Sequence, residues 1–321
     1  MRKFALLCPG QGGQHADMFS LATTSPQAAA LLAQIASADV LGQPLAPLLA
    51  SSTHLFDNQF AQPLIVAASL LNWIALWAQP EMEALQPTLV MGYSIGELTA
   101  HAISGEMTVL QAVTLARHRA VAMQACVTPD QLHRMLAVSG LSLDRLQAFC
   151  LAHRLYVAIV TGESNAIIAG LSTDVTAAEP LLRHYPTVPI SVTALPVHIA
   201  SHTPLMAGAL TAFSDTLEAL FPPQTSPLIT PVVAGVNAQK ITRSQDSKQT
   251  LLAQMTQTIR WHECMDTLDE AGIDVTLELG PGSALSKMLQ ARHPRMVCRS
   301  VADFRSWSAV AEWMKRQVVT D

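Results

Sequence analysis

A serine in the motif G-x-S-x-G is the residue of this sequence best suited to nucleophilic chemistry. The motif GYSIG runs from Gly92 to Gly96, after an apolar run and ahead of a helical pattern. A sharp turn from strand to helix exposes the Ser94 hydroxyl, and the flanking glycines let neighbouring elements pack closely. Free N–H groups at the helix start lie where an oxyanion would form. The pattern predicts a nucleophile, with an ordinary turn serine as the alternative.

A serine nucleophile needs a base, and the sequence offers eleven histidines. His202 lies in SHTPLM, after a turn and before an expected helix, and His198 lies four residues earlier. His101 and His118 fall inside expected helices, which favours surface or packing roles for them. Composition and spacing alone therefore leave the choice of base open.

Short apolar strands are expected to position these motifs. The first strand, Phe4 to Cys8, breaks at PGQGGQ, a loop able to bring its backbone close to a ligand. A second strand at Thr88 to Met91 leads into the serine motif, and a later one at Val275 to Leu279 meets GPG. We interpret the GPG of 280–282 as a structural tight turn, with a phosphate-binding loop as the alternative.

The segment from Leu132 to Thr193 has a different pattern. Its expected strands and helices follow the order β-α-β-β-α-β, which is the ferredoxin-like order. The last of these strands is expected at Val188 to Val192. We therefore predict a small domain at 131–194 inserted into a larger domain formed by 1–130 and 195–321.

The composition indicates a compact globular protein. Half of the residues are hydrophobic and 13% are charged, which excludes a disordered chain. The net charge of −5 shows no basic excess, so no nucleic-acid partner is expected. Five scattered cysteines without C-x-x-C spacing argue against a disulfide framework or a metal site and for a reducing compartment.

Two apolar stretches need to be distinguished from membrane signals. The apolar run after MRK, Phe4 to Leu7, is too short for a signal peptide. The longest apolar run, Leu64 to Ala78, is interrupted by Ser69 and Asn72 and is too short to span a bilayer. We expect the first to be a buried strand and the second a buried core helix. The protein is accordingly expected to be cytoplasmic, with no membrane partner.

Five motifs in order resemble those of malonyl-CoA:acyl-carrier-protein transacylases and related acyltransferase domains. They cover almost the whole chain and are PGQGGQ, GYSIGE, ARHRAVAMQ, SHTPLM and ELGPG. The resemblance implies an α/β-hydrolase-like large domain with a parallel sheet, plus an inserted ferredoxin-like domain. It also implies malonyl transfer from malonyl-CoA to the prosthetic-group thiol of an acyl carrier protein, with no bound cofactor and no metal.

The same resemblance assigns roles to individual residues. Ser94 corresponds to the nucleophile that forms the malonyl ester, and His202 to its general base and later acid. The backbone N–H groups of Gln11 and Ile95 correspond to the oxyanion hole. Gln254 resembles the residue whose main chain supports the histidine, so no carboxylate is needed to orient it.

An arginine completes the site that the resemblance implies. Arg119, in ARHRAVAMQ, corresponds to the residue that binds the free malonyl carboxylate. A carboxylate in a closed pocket needs a paired cation, and arginine offers a two-pronged donor. Arg117 lies two positions away and should point elsewhere on a helix, so only one of the two should reach the pocket. Methylmalonyl would present the same carboxylate.

One residue departs from the pattern of many relatives, which have histidine before the nucleophile. Here that residue is Tyr93. Together with CPGQGGQH, the motif GYSIGE is most similar to the epsilon (acyltransferase) subunit of malonate decarboxylase, which transfers malonyl to a dedicated carrier subunit. The alternative is the malonyl transacylase of fatty-acid biosynthesis.

Functions of two other classes stay open as alternatives. An α/β-hydrolase esterase or thioesterase would share G-x-S-x-G but needs an acid and a late histidine, for which His262 or His293 are available. PGQGG and Arg119 have no role in that scheme. A non-catalytic scaffold subunit would not need the complete set of site residues.

A basic segment near the C-terminus also has two interpretations. It could dock an acidic carrier protein or form a plain solvated surface, and its residues are Lys287, Arg292, His293, Arg295, Arg299 and Arg305.

Overall fold

The computed structural model describes residues 1–37, 39–186, 189–221 and 227–319. The described residues contain eleven strands: β1 (Phe4–Cys8), β2 (Leu89–Gly92), β3 (His133–Ser139), β4 (Tyr156–Gly162), β5 (Asn165–Leu171), β6 (Ser191–Ala194), β7 (Pro227–Val233), β8 (Lys240–Arg243), β9 (Ile259–Arg260), β10 (Val275–Glu278) and β11 (Val297–Ser300).

Helices fill most of the remaining described chain. They are α1 (Pro26–Ser37), α2 (Leu45–Ala50), α3 (Ser52–Phe56), α4 (Asn58–Trp77), α5 (Gly96–Ile103), α6 (Val109–Gln124), α7 (Leu143–Ala152), α8 (Ser172–Arg183), α9 (Leu210–Leu220), α10 (Ser244–Thr256), α11 (Trp261–Glu270), α12 (Ala284–Arg292) and α13 (Trp307–Val318). Short 3₁₀ turns lie at Ala22–Thr24, Pro80–Met82, Pro204–Ala209 and Val301–Asp303.

A six-stranded sheet forms the centre of the larger part of the molecule. Its order is β11-β10-β1-β2-β7-β8, and every pairing is parallel except that of β7 with β8. Every residue of β1, β2 and β10 is buried, because helices cover both faces of the parallel strands. Cys8 pairs with Gly92 at the carboxyl ends of β1 and β2, so the loop after β1 and the serine turn emerge side by side.

The second sheet confirms the expected ferredoxin-like order. Its strands run β6-β3-β5-β4, and these three pairings are antiparallel. The last strand begins at Ser191, later than expected, and Val188 lies outside the described residues. A fifth strand, β9, comes from outside the predicted insert and pairs with β4 in parallel. The small sheet is therefore extended by a segment of the larger part.

Helix α4 contains the longest apolar run of the sequence. By length and composition alone it is the one helix of the described chain that could cross a membrane, but most of it is buried inside the protein. The Asp57 side chain caps the first turn of α4. The helix packs mainly on α6, α1 and α5. The expected core helix is confirmed, and it begins before Leu64.

Two glycines of the serine motif allow the close approach of backbone on which this arrangement depends. A β-carbon at Gly96 would lie 2.1 Å from the Cys8 carbonyl oxygen, and one at Gly92 would lie 2.3 Å from the Glu97 nitrogen. Neither gap admits even a methyl group, so α5 lies directly against the end of β1. The glycines thus fix the nucleophile turn against the loop that follows β1.

We expect Gly96→Ala to lower the free energy of unfolding by about 1–3 kcal/mol or more, because the added methyl must push α5 away from β1. Thermal and urea unfolding measure the change. Gly208→Ala is the matched control, since its β-carbon would meet nothing closer than 3.4 Å. Equal stability of the two variants would contradict the close-packing explanation.

Candidate active site

Ser94 lies at the turn between β2 and α5, with its hydroxyl facing His202. Its Oγ is 2.8 Å from His202 Nε2. The backbone of Ser94 has a φ of 54°, a left-handed conformation that is uncommon for residues other than glycine. Strained conformations of this kind persist where the surroundings fix them and are concentrated at functional sites. The strand–turn–helix context predicted from the sequence is therefore observed.

His202 is held by the backbone of α10. Its Nδ1 is hydrogen-bonded to the Gln254 carbonyl oxygen, and its backbone N–H donates to Met255 O at 3.0 Å. A carbonyl can only accept, so Nδ1 has the proton and Nε2 presents a lone pair to Ser94. Like Ser94, His202 has a left-handed backbone, with a φ of 63°. The geometry is that of a base oriented without a carboxylate.

Burial keeps the imidazole of His202 neutral. Its pKa falls from 6.5 to about 3, mainly because burial penalises the charged form and secondly because the positive charge of Arg119 repels it. The hydrogen bond to Gln254 acts in the opposite direction. The free site consequently contains a base that is unprotonated at neutral pH.

Arg119 is a buried cation that has only neutral hydrogen-bond partners. It lies on α6 and is 1% exposed. It donates from Nη1 to Gln62 Oε1 at 2.7 Å and from Nη2 to Gln254 Oε1 at 3.4 Å, while Nε has no partner in the described residues. Burial lowers its pKa to about 10, against the opposing effect of Glu97. Such a guanidinium retains the capacity to pair with a carboxylate.

Two polar residues of α4 that the sequence interpretation missed hold this arginine. Gln62 Nε2 donates to Asn58 Oδ1 at 2.7 Å, which turns its oxygen toward Arg119. Asn58 in turn donates to Ala120 O on α6 at 3.0 Å. The sequence could have indicated these two residues by their position in the first turns of a mostly apolar helix, where a buried polar side chain needs a partner.

Arg117 points away from this site, as its spacing from Arg119 predicts. Its Nη1 donates to the Asp39 carbonyl oxygen at 2.6 Å, in an exposed position. The two arginines of α6 therefore occupy different environments, one inside the site and one at the surface.

The loop after β1 runs beside the nucleophile turn. A β-carbon at Gly10 would lie 2.8 Å from the Tyr93 carbonyl oxygen, so this loop and the turn touch through their backbones. The N–H groups of Gln11 and Ile95 have no hydrogen-bond acceptor within the described part of the chain. Both therefore have the free donors that an oxyanion hole requires.

The Tyr93 ring packs against Trp261 and against the loop after β1. It meets Trp261 edge to face, with ring centroids 5.0 Å apart at 86°. It also fills the space beside Gly10, where a β-carbon would lie 2.9 Å from Tyr93 Cδ1. The residue that departs from the relatives' pattern thus supports the loop before Gln11.

The remaining histidines lie outside this arrangement. His101, on α5, is buried against Glu106. His293 and His262, considered above as late histidines of a hydrolase, face Asp266 at 3.0 Å and Glu263 at 3.5 Å. His198 lines a surface cavity with Asp57 and Gln124.

Part of the basic segment is neutralised by neighbouring acids. Arg292 donates twice to Asp266, both at 2.6 Å, and also reaches Glu163. Arg299 pairs with Asp303 at 3.4 Å and lies over the Phe304 ring. These two arginines are committed within the molecule and offer little free charge to a partner.

We expect labelling of Ser94 by a fluorophosphonate to keep its rate as the pH falls through 6.5, since His202 is still unprotonated there. In Arg119→Gln the acidic fall in rate should move to higher pH, because loss of the positive charge raises the pKa of His202. The labelling rate of wild type and of Arg119→Gln, measured at a series of pH values, tests both expectations. Arg117→Gln is the control and should keep the wild-type pH profile. If the labelling rate of wild type fell by half at pH 6.5, the description of His202 as a buried, neutral base would be contradicted.

Comparison with known proteins identifies the family of this chain. Residues 5–317 match the family described as the acyl transferase domain. A malonyl CoA-acyl carrier protein transacylase of Mycobacterium tuberculosis is 33% identical over 285 residues, which are 88% of this chain and 90% of that protein.

Solved structures show the same architecture. A crystal structure of MCAT from Mycobacterium tuberculosis superposes with a TM-score of 0.86 at 29% identity, covering 96% of this chain and 99% of the other. A type II PKS acyl carrier protein in complex with its malonyl transacylase gives 0.86 at 25% identity, covering 97% and 99%. The expected large α/β domain with a small ferredoxin-like domain is confirmed, and the chain belongs to the acyl transferase domain family.

Proposed function

We propose that this protein transfers malonyl from malonyl-CoA to the thiol of an acyl carrier protein through a malonyl ester on Ser94. The observation that supports this most directly is the buried Arg119, which has neutral partners and lies beside a neutral His202. An enzyme acting on uncharged acyl groups would gain nothing from a desolvated cation at this place, and burying one is costly. A substrate carboxylate gives that charge its partner.

The first half-reaction uses the dyad as nucleophile and base. His202 Nε2 takes the proton of Ser94 Oγ as the oxygen attacks the thioester carbonyl. The N–H groups of Gln11 and Ile95 stabilise the resulting oxyanion. When the C–S bond breaks, His202 returns its proton to the departing CoA thiolate, which leaves malonyl-Ser94 and free CoA.

The second half-reaction runs the same steps with a carrier thiol. His202 takes the thiol proton, the sulfur attacks the malonyl ester, and a second oxyanion forms in the same place. Collapse breaks the bond to Ser94, whose oxygen recovers the proton from His202. Gln254 serves both ends of the site, because its carbonyl orients His202 and its side chain contacts Arg119.

A cleft next to the dyad supports access for a long thioester arm. It has a volume of about 480 Å³, and His202 forms one wall together with Pro204 and Thr256. Residues of the small sheet and its helix α7 form the other wall, including Leu151 and Tyr156. We propose that the thioester arm lies in this cleft, which meets the dyad at His202.

We further propose that the physiological acceptor is the carrier subunit of malonate decarboxylase, with this chain as the epsilon subunit. Support comes from the motifs GYSIGE and CPGQGGQH and from Tyr93, which packs against Gly10 at the start of the loop before Gln11. The alternative acceptor is the carrier of fatty-acid biosynthesis. A cytoplasmic location fits the five free cysteines of the chain. No cofactor is required by the steps above.

Incubation with malonyl-CoA should give a malonyl adduct on Ser94 that mass spectrometry detects in the intact protein and that Ser94→Ala lacks. Addition of a carrier should discharge the adduct, faster to a malonate decarboxylase carrier than to a fatty-acid carrier. Preference for the fatty-acid carrier would overturn the pathway while leaving the chemistry. Discharge to water alone would indicate an esterase or thioesterase.

We expect Arg119→Ala to weaken selection of malonyl-CoA over acetyl-CoA by about 2–5 kcal/mol, because the substrate carboxylate loses its buried partner. The ratio of kcat/KM values for the two thioesters measures this selection. Arg117→Ala is the matched control on the same helix and should leave the ratio unchanged. An unchanged ratio in Arg119→Ala would remove the carboxylate-binding role.

A further inference from the structure

The polar residues Ser69 and Asn72 interrupt the apolar run of α4 and take no part in the steps above. Ser69 is fully buried and Asn72 is 5% exposed. Burying a hydroxyl and an amide in an apolar helix is unfavourable unless each finds a hydrogen-bond partner. Their partners therefore indicate what these two residues do.

Both side chains donate to the same turn, which follows β10 and contains the GPG tripeptide of the ELGPG motif. Asn72 Nδ2 donates to Leu279 O at 2.7 Å, and Ser69 Oγ donates to Gly280 O at 2.5 Å. From the other side, Ser300 Oγ donates to Gly282 O at 2.6 Å. Three side-chain hydrogen bonds thus fix the carbonyl groups of Leu279, Gly280 and Gly282 in this turn.

This turn is the support for the loop that contains Gln11. A β-carbon at Gly13 would lie 2.4 Å from Pro281 O and 3.1 Å from Gly282 Cα, so loop and turn touch backbone to backbone. At its other end the loop touches Tyr93 through Gly10. The segment from Gly10 to Gly13 is therefore clamped between the nucleophile turn and the GPG turn, and Gln11 lies between the two clamps.

We propose that Ser69 and Asn72 are positioning residues for the oxyanion hole: they hold the GPG turn, and the turn holds the Gln11 N–H at its distance from Ser94. The proposal rests on the oxyanion role proposed above for Gln11. It assigns a function to the polar interruption of α4 and to the GPG turn, which needs no phosphate ligand to explain it.

An oxyanion hole depends strongly on such support. Its donors act in the transition state, so a displacement of an ångström or less lowers the rate of acylation with little effect on the binding of the ground state. Loss of either α4 donor also leaves a buried carbonyl of the turn without a partner, which favours movement of the turn.

The test combines kinetics with hydrogen exchange in the full-length protein. In Asn72→Leu and Ser69→Ala, kcat for malonyl-Ser94 formation should fall by about 10–100-fold while KM for malonyl-CoA changes by less than about threefold. Amide exchange in the peptide covering Pro9 to Gln14 should become faster in both variants. Leu71→Ala, on the same helix and fully buried, is the control.

The control separates positioning from general loss of stability. Leu71→Ala creates a core cavity and should lower the melting temperature, but it keeps the hydrogen bonds to the turn and should keep both kcat and the exchange of the loop. Equal loss of kcat in Leu71→Ala, or unchanged kcat and loop exchange in the two polar variants, would overturn the proposal. A wild-type protein that forms no malonyl-Ser94 would instead overturn the proposed function, and loop exchange would still test the positioning.

Discussion

The site depends on one buried positive charge, that of Arg119. Its hydrogen-bond partners are all neutral. Arg119 lies inside the protein and is held by the amide oxygens of Gln62 and Gln254. The amides accept from Nη1 and Nη2 without cancelling the charge, which remains available to the substrate carboxylate proposed above. The same charge, together with burial, lowers the pKa of His202 and keeps the base free of its proton.

Segments that are distant in the sequence meet around this charge and around the nucleophile. Helix α4 supplies Gln62 to the arginine and, about two to three turns further along, Ser69 and Asn72 to the GPG turn. Helix α10 supplies Gln254, whose carbonyl orients the base while its side chain contacts the cation. The proposed carboxylate site and the proposed oxyanion hole therefore both draw on α4, while Gln254 of α10 contacts both Arg119 and His202.

Close backbone packing fixes the remaining geometry. Gly96 lies on the end of β1, Gly10 on Tyr93 and Gly13 on Pro281, in each case without room for a β-carbon. These contacts build a continuous backbone surface from the serine turn through the Gln11 loop to the GPG turn. Rigid main-chain supports suit the oxyanion hole proposed above, because its donors would be backbone N–H groups whose position cannot be adjusted by a side-chain rotation.

The sequence by itself determined the features that depend on neighbouring residues. The G-x-S-x-G turn between a buried strand and a helix, the apolar β1 and α4, and the ferredoxin-like order all follow from local patterns of apolar residues and glycines. Only the tertiary structure placed a histidine against Ser94: composition and spacing left the choice open, the family resemblance pointed to His202, and 108 residues separate the two. It also decided that Gln62 holds Arg119, that β9 joins the small sheet and that Arg292 is paired with Asp266. These are contacts between side chains or strands far apart in the chain, and no periodicity in the sequence records which of many polar residues will meet once the core has closed.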